Sequence, residues 1–184
     1  MGGDDKGLLP WGDATLATHA ADRLRTQGFT VQVSANRNPE HYTAKGLMPL
    51  ADLRAGFAGP LAALEAGLAR AQETGAAWLL AVPCDCPHFP ACLPDRLLAA
   101  AASAKAAFAV QNQGVHPAFC VLSVALAGTL TRYLDDGGRR MRDWWTMVDA
   151  ARVDFSDQPA DAFANANTPE DLARLRRLAG LPAC

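Results

Sequence analysis

The chain has 184 residues, of which half are hydrophobic and a fifth are charged, and its formal net charge is -2. This composition is typical of a globular protein with a sizeable core, and it provides no general positive field for nucleic acid or an anionic membrane. No apolar run approaches the ~18 residues of a membrane span, and the N-terminus does not resemble a signal peptide. We therefore expect one cytoplasmic domain over residues 1–184, without nucleic-acid or membrane partners.

The chain contains five cysteines, at positions 84, 86, 92, 120 and 184. An odd count without a secretory signal argues against a disulfide framework. Paired zinc ligands are usually separated by two to four residues, whereas one residue separates Cys84 from Cys86. No His and Asn pair can be named as partners of a nucleophilic thiol. The sequence therefore predicts reduced thiols.

The first segment places two glycines ahead of a lysine, in the run MGGDDK over residues 1–6. Gly2 and Gly3 would let backbone N–H groups approach an anion, and the Lys6 ammonium would add a point charge. The segment is not a Walker motif, which requires Ser or Thr directly after the lysine. It predicts a phosphate-binding loop, and a flexible charged tail is the alternative.

A helix and a strand are predicted next. Asp13 is the expected N-cap of a helix that runs to about Gln27, with Gly28 after its end. The β-branched run Phe29–Ala35 predicts a strand whose tip carries Ser34 and Asn36. These two side chains could hydrogen-bond a base or ribose, and an Asx turn is the alternative.

Asp52 begins a loop that contains two glycines and ends at Pro60, which indicates a defined backbone path. Pro60 is a favourable first residue for a helix to about Glu73. Leu61, Leu64 and Leu68 recur at helical spacing, so they predict its buried face.

The apolar run Trp78–Val82 predicts a short strand that is buried on both faces. Asp85 follows it, and ligands of open α/β sheets bind at that end of the strands. An unpaired carboxylate there is costly unless it meets a cation or a ligand. Asp85 is therefore a candidate ligand for Mg²⁺ on nucleotide phosphates, and a cap of the turn before Pro87 is the alternative.

The remaining elements are a helix from about Pro94, a hairpin of strands 106–110 and 115–122, a helix from Ser123 to about Leu134, a short helix that starts with residues 139–142, a strand 151–155 and a last helix capped by Thr168. His116 in the hairpin is either a packed residue or a ligand. Arg139 and Arg140 could bind phosphate or form a solvated cationic face. Helices alternating with strands predict an α/β fold with a doubly wound, mostly parallel sheet.

Several short motifs, in this order along nearly the whole chain, resemble those of the molybdenum cofactor guanylyltransferases: MGGDDKGLL at 1–9, SANR at 34–37, GPLA at 59–62, PCDCP at 83–87, HP at 116–117, VDFSD at 153–157 and NANTPED at 165–171. The resemblance implies a Rossmann-like nucleotidyltransferase domain. It also implies transfer of GMP from GTP to molybdenum-bound molybdopterin, with Mg²⁺ as cofactor and pyrophosphate as the second product.

The resemblance assigns roles to individual residues. Lys6 and Asp85 would be catalytic, with Lys6 on the GTP phosphates and Asp85 on Mg²⁺, and Asp52 would lie in the guanine-nucleotide site. The other implied nucleotide-binding residues are Gly2, Gly3, Ser34 and Asn36. The residues implied for the pterin substrate are His116, Arg139, Arg140, Asn165 and Asn167. Molybdoenzymes or cofactor-insertion proteins are the further partners implied.

The chain departs from the family pattern at its N-terminus, because the family has a first strand and a glycine-rich loop before Met-Gly-Gly. We therefore expect a domain that is N-terminally truncated and lacks its first, central strand. The strands 31–33 and 80–82 would then either flank a gap of about 9–10 Å, two strand spacings, or pair directly. The functional alternatives are a non-catalytic nucleotide-binding accessory protein and a cytidylyl- or sugar-phosphate nucleotidyltransferase.

Overall fold

A computed structural model describes residues 5–55 and 59–181 of the chain. Within those residues the chain forms two compact units, each assembled from segments that are distant in sequence. The first unit contains residues 5–49, 83–91 and 159–181, and the second contains residues 50–55, 59–82 and 92–158. Neither unit corresponds to a continuous stretch of sequence, and the expectation of one nucleotidyltransferase domain stays a prediction.

The described chain contains both helices and strands. In chain order they are β1 (Pro10–Trp11), β2 (Ala14–Thr15), α1 (Leu16–Arg25), β3 (Val33–Ser34), α2 (Pro39–Thr43), β4 (Pro49–Leu50), α3 (Pro60–Glu73), β5 (Trp78–Ala81), α4 (Leu93–Ala104), β6 (Ala106–Gln111), β7 (Gly114–Ser123), α5 (Ala127–Asp135), α6 (Met141–Met147), β8 (Ala151–Asp154) and α7 (Pro169–Leu178). None of the helices within 5–55 and 59–181 has the length and apolarity that crossing a membrane requires.

The second unit contains a four-stranded sheet in the order β5-β7-β6-β8. The predicted hairpin is confirmed, since β6 and β7 pair antiparallel and Gln111 lies opposite Gly114. β5 also pairs antiparallel with β7, and β6 pairs parallel with β8. The sheet is therefore mixed rather than mostly parallel. The physical reason is the tight turn at Asn112, which returns the chain antiparallel and places β7 between β5 and β6.

The predicted strand after α3 is confirmed as β5, but its expected burial on both faces is wrong. All four residues of β5 are only partly buried. β5 lies at one edge of the sheet and pairs only with β7 among the described residues. Among the residues that the structure describes, β3 pairs with β4 and β5 pairs with β7, so direct pairing of strands 31–33 and 80–82 is not observed. β3 is shorter than the predicted strand 29–35, and the gap alternative stays a prediction.

The core of the second unit lies between α3 and the sheet. The predicted apolar face of α3 is confirmed, since Leu61, Leu64 and Leu68 are all buried. They belong to one cluster with Phe108, Cys120, Leu122, Leu130, Leu134, Trp144 and Trp145. At Gly67 a Cβ atom would lie 2.9 Å from Leu79 Cδ2. A glycine there lets α3 approach β5 closely.

In the first unit, α1 and α7 begin at capping boxes. Thr168 and Asp171 form the predicted box of α7. The predicted N-cap of α1 at Asp13 is wrong, because Thr15 caps α1 and exchanges hydrogen bonds with Thr18. Asp13 instead lies in the turn between β1 and β2, two residues too early to reach the first free N–H groups of the helix. The short helix α2 was not predicted.

A buried carboxylate in α3 anchors the loop that begins at Asp52. Glu65, 6% exposed, accepts two hydrogen bonds from Arg54, at 2.6 Å from Nε and 2.8 Å from Nη2. Arg54 also contacts Asp135 at 2.7 Å and the Thr131 carbonyl at 3.2 Å. The hydrogen bonds from Arg54 hold the pKa of Glu65 below its usual range. This network therefore ties the loop to α3 and α5.

We expect Glu65→Gln to lower the free energy of unfolding at pH 7 by ~1.5–3 kcal/mol, the scale of hydrogen bonds to a charged group. Since the folded-state pKa of Glu65 is lowered, its contribution is present above the unfolded pKa of about 4.3 and is lost as the pH falls through the folded value. The free energies of unfolding of the wild type and Glu65→Gln, measured with denaturant, should therefore become equal in acid. In the matched control Glu73→Gln, at an exposed α3 residue paired with Arg70, the change should stay within about 0.5 kcal/mol. Equal losses in both variants would contradict this role of Glu65.

Candidate active site

Three of the residues singled out in the sequence meet in the first unit. The Lys6 ammonium lies 2.9 Å from Asp85 Oδ2, and their side chains are 37% and 14% exposed. The same ammonium donates to Asn167 Oδ1 at 2.5 Å. Residues separated by up to 161 positions thus form one cluster of a cation, a carboxylate and an amide.

Lys6 is held by the residues on either side of it. It begins a 3₁₀ turn, Lys6–Leu8, which Asp5 caps by accepting from the Gly7 amide at 3.3 Å. The Asp5 carboxylate also accepts from the Tyr42 hydroxyl. A Cβ atom at Gly7 would lie 2.5 Å from Tyr42 Oη, so the turn fits only with glycine there. Lys6 is therefore not part of a flexible tail, whereas Gly2 and Gly3 lie outside the described residues.

Asp85 lies in a loop that forms hydrogen bonds with the segment 165–167, just before α7. The Asp85 carbonyl accepts from the Ala166 amide at 2.8 Å, and Cys86 Sγ lies 2.8 Å from Asn165 Oδ1. Ala166 is fully buried, while its neighbours Asn165 and Asn167 are exposed. The Asp85 carboxylate pairs with Lys6 rather than capping the turn before Pro87.

Helix α1 holds the same loop just after Asp85. Arg23 donates to the Pro87 carbonyl at 2.7 Å and to the Phe89 carbonyl at 2.6 Å, and its guanidinium lies 4.0 Å from the centre of the Phe89 ring. His19, one turn earlier, lies 3.2 Å from the Pro87 carbonyl. Burial lowers the pKa of His19. Sequence reasoning missed these two residues, although their i,i+4 spacing places them on one face of the helix.

Ser34 and Asn36 are both exposed at the end of β3. Ala35 between them is buried in one hydrophobic cluster with Tyr42, and Cys84 packs against that cluster. The end of β3 therefore lies close to the loop that carries Asp85.

The other predicted site residues belong to the second unit. Asp52 is partly buried, two residues before the anchored Arg54. His116 is half-buried in β7 with its ring 6.5 Å from that of Phe119, and burial lowers its pKa. Arg139 donates to the Leu134 and Gly138 carbonyls at 2.8 and 2.6 Å, at the end of α5. Arg140 is exposed. Of these residues, Arg139 has a structural role in the unit.

The thiols beside Asp85 are poor nucleophiles. Burial and the nearby Asp85 charge raise the pKa of Cys84 to about 12, and the same causes raise the pKa of Cys86. The thiolate is the form that attacks electrophiles or binds zinc. The four cysteines within the described residues are free, and no group of three or more His, Cys, Asp or Glu side chains in that part of the chain could hold a metal ion.

Solved structures share this fold. Molybdopterin-guanine dinucleotide biosynthesis protein A from Archaeoglobus fulgidus superposes with a TM-score of 0.78, over 97% of this chain and 92% of that protein, at 17% identity. A 4-diphosphocytidyl-2C-methyl-D-erythritol synthase superposes with a TM-score of 0.61 over 95% of the chain, at 14% identity. The predicted α/β fold is confirmed, with the mixed sheet described above in place of a mostly parallel one.

Other relatives are much more similar to this chain in sequence than these solved structures are. The family described as "MobA-like NTP transferase domain" matches residues 1–152. A molybdenum cofactor guanylyltransferase of Shewanella loihica is 39% identical over 95% of this chain and 88% of its own length. A protein of the same name from Pasteurella multocida is 42% identical over 94% of this chain and 90% of its own length. With this identity across almost its whole length, the chain belongs to the molybdenum cofactor guanylyltransferase family of MobA-like NTP transferases.

Proposed function

We propose that the chain is a cytoplasmic guanylyltransferase that transfers GMP from GTP to the terminal phosphate of molybdenum-bound molybdopterin. An oxygen of that phosphate would attack the α-phosphorus of GTP, and the bond to the β-phosphate would break to release pyrophosphate. The observation that carries this proposal is the cluster of Lys6, Asp85 and Asn167 in a chain whose close relatives bear this name.

The cluster suits phosphoryl transfer because this reaction needs positioning and charge neutralisation rather than covalent chemistry from the protein. The Lys6 ammonium is partly exposed. It can therefore bind phosphate oxygens while it stays paired with Asp85. Asn165 and Asn167 are both exposed, and their side-chain amide groups can donate hydrogen bonds to phosphate oxygens.

The cofactor we propose is Mg²⁺, held by Asp85. Mg²⁺ prefers one or two carboxylates together with phosphate oxygens and water. Asp85 fits this requirement, because its carboxylate is partly exposed and its Oδ1 has only a 3.8 Å contact to Cys86 Sγ among the described residues. When bound, Mg²⁺ supplies neutralisation of phosphate charge.

Further roles complete the proposal. Gly2, Gly3, Ser34, Asn36 and Asp52 would bind the guanine nucleotide. The residues proposed for the pterin substrate are His116, Arg139, Arg140, Asn165 and Asn167. The carbonyl contacts of Arg139 make Arg140 the more available guanidinium. Molybdoenzymes or cofactor-insertion proteins would receive the product.

The proposed function is tested by incubating the protein with Mg²⁺, molybdenum-bound molybdopterin and each nucleoside triphosphate separately, and measuring pyrophosphate. We expect release with GTP alone. Release with CTP instead would indicate a cytidylyltransferase, and GTP binding without turnover would indicate an accessory protein.

Asp85→Asn should abolish Mg²⁺-dependent pyrophosphate release, because the amide keeps the size of the side chain but lacks the charge that binds the cation. The thermal midpoint should stay close to that of the wild type. Asp13→Asn, at an exposed turn of the same unit, is the matched control and should leave turnover unchanged. Near-wild-type turnover of Asp85→Asn would remove Asp85 from the mechanism.

Lys6→Ala should weaken GTP binding by ~1.5–3 kcal/mol, roughly 10- to 150-fold in Kd, the scale of a charge-assisted hydrogen bond. Titration calorimetry measures this directly. Lys45→Ala removes an exposed lysine of the same unit and should not change the affinity. If both variants bind GTP like the wild type, Lys6 does not contact the nucleotide.

A further inference from the structure

The Cys86 thiol is fully buried beside the proposed acceptor site. Its Sγ lies 2.8 Å from Asn165 Oδ1, and 3.8 Å from both the Phe163 carbonyl and Asp85 Oδ1. A thiol has a single proton to donate. The Asn165 oxygen is much the nearest of the three acceptors, so the hydrogen bond of Cys86 goes to Asn165.

This contact determines which way the Asn165 amide faces. The carboxamide is planar and carries its oxygen and its NH₂ group on opposite sides. With Oδ1 directed at the buried thiol, the Nδ2 group is directed away from it, and Asn165 is exposed. The ionised oxygens of a phosphate accept hydrogen bonds and have no proton to donate. The thiol thus selects the orientation in which Asn165 presents its donor.

We propose that Cys86 is a positioning residue for the transfer reaction, which holds the Asn165 carboxamide so that Nδ2 donates to a phosphate oxygen of the pterin substrate. This inference rests on the proposed function. Cys86 itself is buried and would not touch the substrate.

The two segments are also joined without the thiol, by the hydrogen bond from the Ala166 amide to the Asp85 carbonyl. The fold should therefore tolerate loss of the thiol while the Asn165 amide becomes free to rotate. This separates the orienting role from a purely structural one.

The test compares steady-state kinetics of Cys86→Ala and Cys86→Ser with the wild type. We expect Cys86→Ala to raise KM for the pterin substrate about threefold to tenfold, the scale of one lost hydrogen bond, with KM for GTP unchanged. Cys86→Ser retains a donor and should stay within about twofold of the wild type. Cys120→Ala is the matched control, since Cys120 is equally buried but its thiol has, among the described residues, a backbone carbonyl as its one hydrogen-bond acceptor, that of Ala118 at 3.9 Å. Cys120→Ala should leave both KM values unchanged, whether or not it lowers the thermal midpoint.

A double-mutant cycle with Asn165→Ala tests the route of the effect. If Cys86 acts through Asn165, Cys86→Ala should have no further effect on KM for the pterin substrate in the Asn165→Ala background. Additive effects would overturn the proposal, as would equal losses in Cys86→Ala and Cys86→Ser or wild-type kinetics of Cys86→Ala. An inactive wild-type protein would instead reject guanylyl transfer itself, so the two failures are distinguishable.

Discussion

The ion pair between Lys6 and Asp85 is the interaction on which the candidate active site depends. A carboxylate that is 14% exposed is costly without a partner, and the ammonium at 2.9 Å supplies one. The pair is only partly buried, so the attraction is strong enough to hold both groups while water and ligands can still reach them. A site for phosphate and a cation needs such partial burial, because the ammonium and the carboxylate must both be accessible when the ligands bind.

The supports of this pair come from segments of the first unit that are far apart in the sequence. Asp5 and Tyr42 hold the turn that carries Lys6, and Arg23 holds the loop after Asp85. The segment 165–167 contributes a backbone hydrogen bond to Asp85 and the Asn167 oxygen to Lys6. Polar groups whose partners are fixed by packing need little reorganisation when charge develops during a reaction. The site is therefore preorganised, in large part by contacts of Asp5, Tyr42 and Arg23, which are not proposed to bind substrate.

The second unit is also stabilised by a partly buried ion pair, between Glu65 and Arg54. Glu65 would be an isolated buried charge in α3 without the two hydrogen bonds from Arg54, whose guanidinium also contacts Asp135. The planar fork of arginine satisfies two carboxylates and a carbonyl at once, which the single ammonium of a lysine would do less well. The loop that begins at Asp52 is thereby anchored, and Asp52 is the residue proposed for the guanine nucleotide in this unit.

Local patterns in the sequence determined the apolar face of α3, the hairpin of β6 and β7, the cap of α7 and the family motifs, because each depends on residues close together in the chain. Tertiary structure alone decided the mixed order of the sheet, the edge position of β5 and the contacts of Lys6 with Asp85 and Asn167. The contacts of Arg23 and Cys86 also could not be predicted from the sequence. Their partners are 64 and 79 positions away, and no local spacing encodes which distant carbonyl or amide a buried side chain will meet.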